Sequence, residues 1–199
     1  MNPDLDCSGS YNPNLDLIQK AQLGPYVCGN LGVFKCPADK STVKSGGRSY
    51  PRTRSMSMNG FMGNFPPCDK LYTKPGYAWY TKTSDILRPA SRFVFVDEHP
   101  DSINDGFFNT EMGGYDPRIP GSLVLWNIPA SYHSGGGGLS FADGHSETHK
   151  WRDLRTRLPI TGVSFFTLGV YSRPSPGNPD VEWLQERSSE LSKGGTRGF

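Results

Sequence analysis

The chain has 199 residues, of which 35% are hydrophobic, with 24 glycines and 17 prolines; this favours one loop-rich domain of short strands over a helical bundle. Its 21 Lys and Arg against 19 Asp and Glu leave a net charge of +2, scattered rather than massed, which argues against a nucleic-acid surface. The longest apolar runs, 93–96 and 122–126, are far too short to span a bilayer, and no charged-apolar-small leader opens the chain.

Three divisions are expected: a polar segment over 1–25, a β-rich globular part over 26–172, and a helix with its tail over 173–199. The first segment carries one predicted helix, Asn14–Gln22, ahead of Gly24-Pro25. Next, "PYVCGNLGVFKCPADKS" is a short apolar run broken by Gly-Asn and ended by Pro37. Four cysteines, Cys7, Cys28, Cys36 and Cys68, contain no Cys-x-x-Cys spacing; two disulfides or four free thiols both fit the count. In "RSYPRTRSMSMNGF", Arg54, Met56 and Met58 alternate with Ser55, Ser57 and Asn59, the pattern of a strand reaching an Asn-Gly turn. The methionines are expected to pack, with Arg54 along the rim.

Tyr77–Thr81 reads as an aromatic strand and 84–87 as a capped turn closed by Pro89. Arg92–Val96 is nearly continuous in apolar residues, so a central strand buried on both faces is expected. It ends in "DEHPDSINDG", where Asp97, Asp101, Asn104 and Asp105 place hard oxygens in one tight loop, the ligand type calcium needs. Asx-turns account for the same residues. Glu98 or His99 could serve there as general base on an ion-polarised water.

The stretch "HSGGGGLSFADGH" follows, from His133 to His145. Leu139–Ala142 is predicted as a strand, and Asp143-Gly144 as a two-residue type I′ turn pairing Ala142 with His145. Alternation then puts His145, Glu147 and His149 on one face, away from Leu139 and Phe141. That array has the reach to hold a metal, though a polar solvent-facing strand has the same pattern. His133 is expected beside His149 at the glycine end. Finally, "GNPDVEWLQERSSELSK" predicts a helix capped by Asn178, with Pro179 in its first turn, an apolar stripe of Val181, Leu184 and Leu191, and a stop at Gly194-Gly195. There is no Gly-x-Ser-x-Gly elbow, P-loop or His-Glu-x-x-His motif.

The run of His133, nine residues and Asp143-Gly144 resembles the H-X9-DG signature of prepilin-type processing-associated proteins, a pseudopilin-like family. "GPYVCGNLGVFKCPADKS", "RSMSMNGF", "RFVFVDEHPDSINDGFF", "PASYHSGGGGLSFADGHSETHKW" and "NPDVEWLQERS" agree in order, covering most of 24–189. The resemblance implies an α+β, pilin-like fold: short helices on an antiparallel sheet with long loops. It implies a structural subunit of a type II secretion or type IV pilus-type apparatus, partnered by other pseudopilin or secretion-system subunits in the cell envelope or outside the cell. Such proteins assemble through a hydrophobic N-terminal helix that this sequence does not show, so the likeness is to the globular head. By analogy with major pseudopilins, calcium would occupy the loop 97–105; zinc is the alternative ion. Two other functions compete. A metal-dependent hydrolase of ester, lactone or glycosidic bonds would draw on Glu98, His99, His133, Asp143 and His145 and take a small-molecule substrate. A carbohydrate- or surface-binding module would use Trp79, Trp126 or Tyr132.

Overall fold

A computed structural model describes residues 15–45, 47–63, 76–112, 123–165, 168 and 173–192. Their helices are α1 (Leu15–Gln19) and α2 (Pro179–Ser188), joined by several single 3-10 turns. The strands are β1 (Thr42–Ser45), β2 (Arg48–Pro51), β3 (Met56–Asn59), β4 (Phe93–Asp97), β5 (Phe107–Phe108), β6 (Val124–Leu125), β7 (Gly136–Phe141), β8 (Ser146–Lys150) and β9 (Arg173–Pro174). The main sheet runs β5-β3-β4-β7-β8, antiparallel except for the β3–β5 pair; β1-β2 and β6-β9 form two small ribbons. The fold is therefore mixed α+β, with a mostly antiparallel sheet and few helices. No helix among the described residues is long and apolar enough to cross a membrane.

The central strand falls where the apolar run predicts it. β4 lies between β3 and β7, and its Phe93 and Val96 are buried against Phe108, Leu139, Phe141, Trp151 and Leu184. Leu184 belongs to α2, so the C-terminal helix closes the same core as the sheet. Asn178 caps that helix as expected, accepting from the amides of Asp180 (2.9 Å) and Val181 (3.4 Å), with Pro179 in the first turn. The helix stops at Ser188, short of Leu191, which instead bridges to Tyr77. Gly194 and Gly195 lie outside the described residues, as does Asn14 of the first predicted helix. The predicted strand at 77–81 reduces to single bridges at Tyr77 and Tyr80.

β3 reverses the expected burial. Ser55, Ser57 and Asn59 are the buried side chains, while Met56 and Met58 are half-buried. The reason is bonding, not apolarity. Asn59 Nδ2 donates to the Phe93 and Ser188 carbonyls, both at 2.9 Å, and its Oδ1 accepts from the Phe61 amide at 3.1 Å. Ser55 Oγ accepts from the Cys36 amide at 2.6 Å. Small polar groups here strut the sheet to its neighbours, and a buried polar group is tolerated when so partnered. Arg54 is buried rather than on the rim, donating to Ser57 Oγ and to the Met56 carbonyl, both at 3.0 Å, and to the Asp105 carbonyl.

The hairpin turn is one residue longer than predicted. The Phe141 amide donates to the His145 carbonyl at 2.9 Å and the Gly144 amide to the Phe141 carbonyl at 3.0 Å, so Ala142, Asp143 and Gly144 all sit in the loop. Gly144 takes φ +95°, the left-handed closing residue of a three-residue hairpin, whereas a type I′ turn would need Asp143 there too. Register shifts by one, and every β8 side chain changes face. Glu147 stands opposite Leu139 and His149 opposite Gly137, on the core side rather than away from it.

Three of the four glycines are strand residues, because neighbours press against the backbone. A Cβ on Gly137 would come within 2.6 Å of the Ala130 carbonyl oxygen, and one on Gly138 within 3.0 Å of Asp97 Oδ2. The Ala130 contact is backbone and cannot swing aside. Gly137→Ala is expected to lower stability by about 1–3 kcal/mol, the usual range for overpacking, as read by urea denaturation. A change within 0.5 kcal/mol would mean the strand can move away freely.

Candidate metal centre

The acidic segment after β4 splits between the two faces of the sheet. Glu98 follows Val96 in alternation toward the core and is fully buried. Its Oε1 accepts from Ser102 Oγ at 2.8 Å and Asn127 Nδ2 at 2.6 Å, and its Oε2 from Ser57 Oγ. Burial pushes the carboxyl up to about 7 against the pull of these donors and of Arg54. His99 is also buried. Its Nδ1 accepts from the Asp101 amide at 3.2 Å, which leaves Nε2–H to donate to the Leu158 carbonyl at 3.1 Å, and its ring stacks on Phe165. Burial holds its pKa below the ordinary value. Both ring nitrogens are committed, so His99 has no nitrogen left for a substrate.

The expected wrapping of one ion by Asp97, Asp101, Asn104 and Asp105 is replaced by separate engagements. Asp101 accepts from the Thr161 amide (2.6 Å), the Thr161 hydroxyl (2.8 Å) and the Gly162 amide (3.0 Å), clasping a distant loop. Asp105 accepts from the Phe107 amide at 2.8 Å and from Asn104 Nδ2 at 3.1 Å, an Asx-type turn, and burial raises its pKa. Asp97, Asp101 and Asp105 do not converge on one point. His145, Glu147 and His149 do not form a converging group either. His145 bonds Asp143 Oδ1 through Nδ1 at 2.6 Å and stacks on Phe141, while His149 stacks on Trp183 at 3.8 Å. The hydrogen bond from His145 lowers the Asp143 pKa.

Among the described residues one group of three does converge: Cys36, Asp97 and His133, whose ligand atoms lie within 4.8 Å of one another. Cys36 follows the 3-10 turn at Leu31–Phe34 and is held by its backbone N–H, which donates to Ser55 Oγ. Asp97 ends β4, and its Oδ2 accepts from the Gly138 amide at 3.0 Å. His133 sits in the tight turn before β7, its amide and carbonyl both bonded to Gly136 at 3.0 Å. The imidazole Nε2 lies 3.5 Å from Cys36 Sγ and 3.5 Å from Asp97 Oδ2. Cys36 and Asp97 are 5% and 3% exposed, whereas the His133 side chain is 40% exposed. Burial pushes both the Cys36 thiol and the Asp97 carboxyl up, and the buried Asp39 carboxylate nearby adds to both.

His133 therefore joins Asp97 on the face away from α2, not His149 as the straight-strand reading expects. Sequence alone offers Cys36 only as a disulfide partner or a free thiol, not as a ligand. Its spacing from Asp97 and His133 carries no motif, because three separate elements bring the donors together. Cys28 and Cys36 are free thiols, and Cys7 and Cys68 lie outside the described residues. Trp79 and Trp126 are half-buried and line one narrow crevice with Phe61 and Thr110, and Tyr132 is half-buried beside His133. The groove beside the C-terminal end of α2 is lined by Tyr77, Arg88, Arg92 and Glu190, with Arg92 paired to Glu190 at 2.9 Å, and holds none of the expected site residues. Searches of family models, curated proteins and solved structures return no match to this chain.

Proposed function

We propose that the chain is the globular head of a pseudopilin-like structural subunit of a type II secretion or type IV pilus-type apparatus. The observation that carries this reading is the place of the H-X9-DG spacing in the fold. Its nine intervening residues contain the whole of β7. His133 stands at one end, bonded to Gly136, and Asp143 at the other, in the turn to β8. Six strand residues span roughly 20 Å, so the two motif residues cannot act on one bond. The spacing measures a strand with its two turns, which is what a structural signature does.

The hydrolase reading loses support from the same geometry. Glu98 and His99 are buried and saturated, Asp143 and His145 pair at the hairpin tip, and His133 lies at the far end of β7. The test uses antiserum raised against this domain in the native host. The protein is expected in the sheared-surface or envelope fraction, co-purifying with other pseudopilin or secretion-system subunits. A purely cytosolic protein that captures none of them, or one that turns over aryl esters or lactones, would overturn the reading.

A further inference from the structure

We propose that Cys36, Asp97 and His133 bind one thiophilic divalent cation, zinc by its chemistry, which fastens the turn at 31–36, the end of β4 and the entry to β7. The donor set comprises one thiol, one imidazole and one carboxylate, drawn from three segments that share no local sequence constraint. Zinc takes sulfur at ~2.3 Å and nitrogen or oxygen at ~2.0–2.2 Å in a tetrahedron, so neighbouring ligands should lie about 3.3–3.6 Å apart. The observed separations from Nε2 are 3.5 Å to sulfur and 3.5 Å to oxygen.

A second reading of the trio is a Cys-His-Asp relay, and the geometry separates the two. In a relay the thiol faces one ring nitrogen and the acid orients the ring through the other. Here Sγ and Oδ2 both face Nε2. The N···O separation of 3.5 Å exceeds the 2.7–3.2 Å range of a good hydrogen bond. Donors gathered around a common point suit a shared ion.

An independent observation points the same way. Asp97 Oδ1 is buried and has no hydrogen-bond partner among the described residues, on a carboxylate that is 3% exposed. A buried carboxylate with an unpaired oxygen is costly unless a cation compensates it. Asp39, also buried, adds a further negative charge beside the thiol and Asp97. The thiol selects against calcium and magnesium, which take oxygen ligands. Exposure of His133 leaves the fourth position to water. Gly138 keeps the carboxylate in place, since any Cβ there would press on Oδ2 at 3.0 Å.

The test titrates Zn2+ and Co2+ into chelator-treated full chain. One equivalent of Zn2+ is expected to bind, and the Co2+ form should show a thiolate-to-metal charge-transfer band with the intense visible bands of a tetrahedral site. Cys36→Ser should abolish the charge-transfer band. Asp97→Asn and His133→Gln should each weaken Zn2+ by at least tenfold, a bound on losing a ligand given that outer partners alone cost about 10–100-fold. Cys28→Ser and Glu147→Gln should bind as the parent does. His133 is half-exposed, so its variant keeps the fold, checked by circular dichroism, if either buried variant fails. Sub-stoichiometric Zn2+, a Co2+ spectrum lacking the thiolate band, or affinity unchanged in His133→Gln would overturn the proposal. None of these outcomes depends on the pseudopilin reading.

Discussion

Glu98→Ala is expected to cost the fold about 3–5 kcal/mol in urea denaturation, the range for removing one partner from a buried charged network. The alanine leaves Ser57, Ser102 and Asn127 with donors aimed at a cavity, and Arg54 without its nearby carboxylate. Glu98→Gln separates bonding from charge. Its carbonyl oxygen can still accept from Ser102 and Asn127, while its amide can donate to Ser57. The pH profile then carries the signature. A carboxyl raised from 4.5 to about 7 in the folded state contributes stability that is full below pH 4.5 and is lost as pH rises through 7, because the unfolded chain sheds the proton first. That loss is on the order of 3 kcal/mol. Asp97 and Asp105, also raised by burial, slope the same way, whereas His99, lowered by burial, slopes oppositely. The difference between parent and Glu98→Gln isolates the one group: the variant should gain on the parent steadily from pH 4.5 to 7. Parallel profiles would mean that the carboxyl is ionised in an ordinary solvent-like way.

Trp151→Ala is the second large effect, about 3–5 kcal/mol. The indole is 1% exposed, packs with the core of Phe93, Leu139 and Leu184, and meets His149 and Trp183 edge-on. Its Nε1–H donates to the Ala130 carbonyl at 2.8 Å, and the Ala130 amide donates to the Asp97 carbonyl at 2.7 Å. Trp151 thus anchors the segment that delivers His133. Trp151→Phe retains most of the apolar volume but not the donor, and should recover more than half of the lost stability. Its Zn2+ affinity should stay below that of the parent, because the segment bearing His133 is less restrained. Full recovery of both properties in the phenylalanine variant would show that the indole acts through volume alone.

Several features are legible in the amino-acid sequence because their causes are local. The apolar run at 93–96 has to be central, since exposing both faces of such a strand is costly. Asn178-Pro179 starts α2 because an amide side chain and a proline satisfy the first helical turn by themselves. His133 stands out by its glycine run, and Asp97 by its place at a strand end. Where local signals allowed two answers, the tertiary contacts chose. Asp-Gly closes either a two- or a three-residue hairpin, and the choice of three turned His145, Glu147 and His149 to the other face.

The candidate centre shows the same division. The alternation of Ser55, Ser57 and Asn59 is visible in the chain, but only the packed sheet makes them the buried side, by giving each an acceptor or donor to satisfy. The acids of 97–105 read as one loop around an ion, yet successive strand residues point to opposite faces, which sends Asp97 toward His133 and Glu98 into the core. Cys36 had no neighbour in the sequence to give it meaning. Sequence by itself determined which segments could be strand, turn or helix, because those preferences arise within a few residues. Which donors meet was decided by the docking of the 31–36 turn against β4 and β7, since convergence at 3.5 Å depends on side-chain packing between elements distant along the chain.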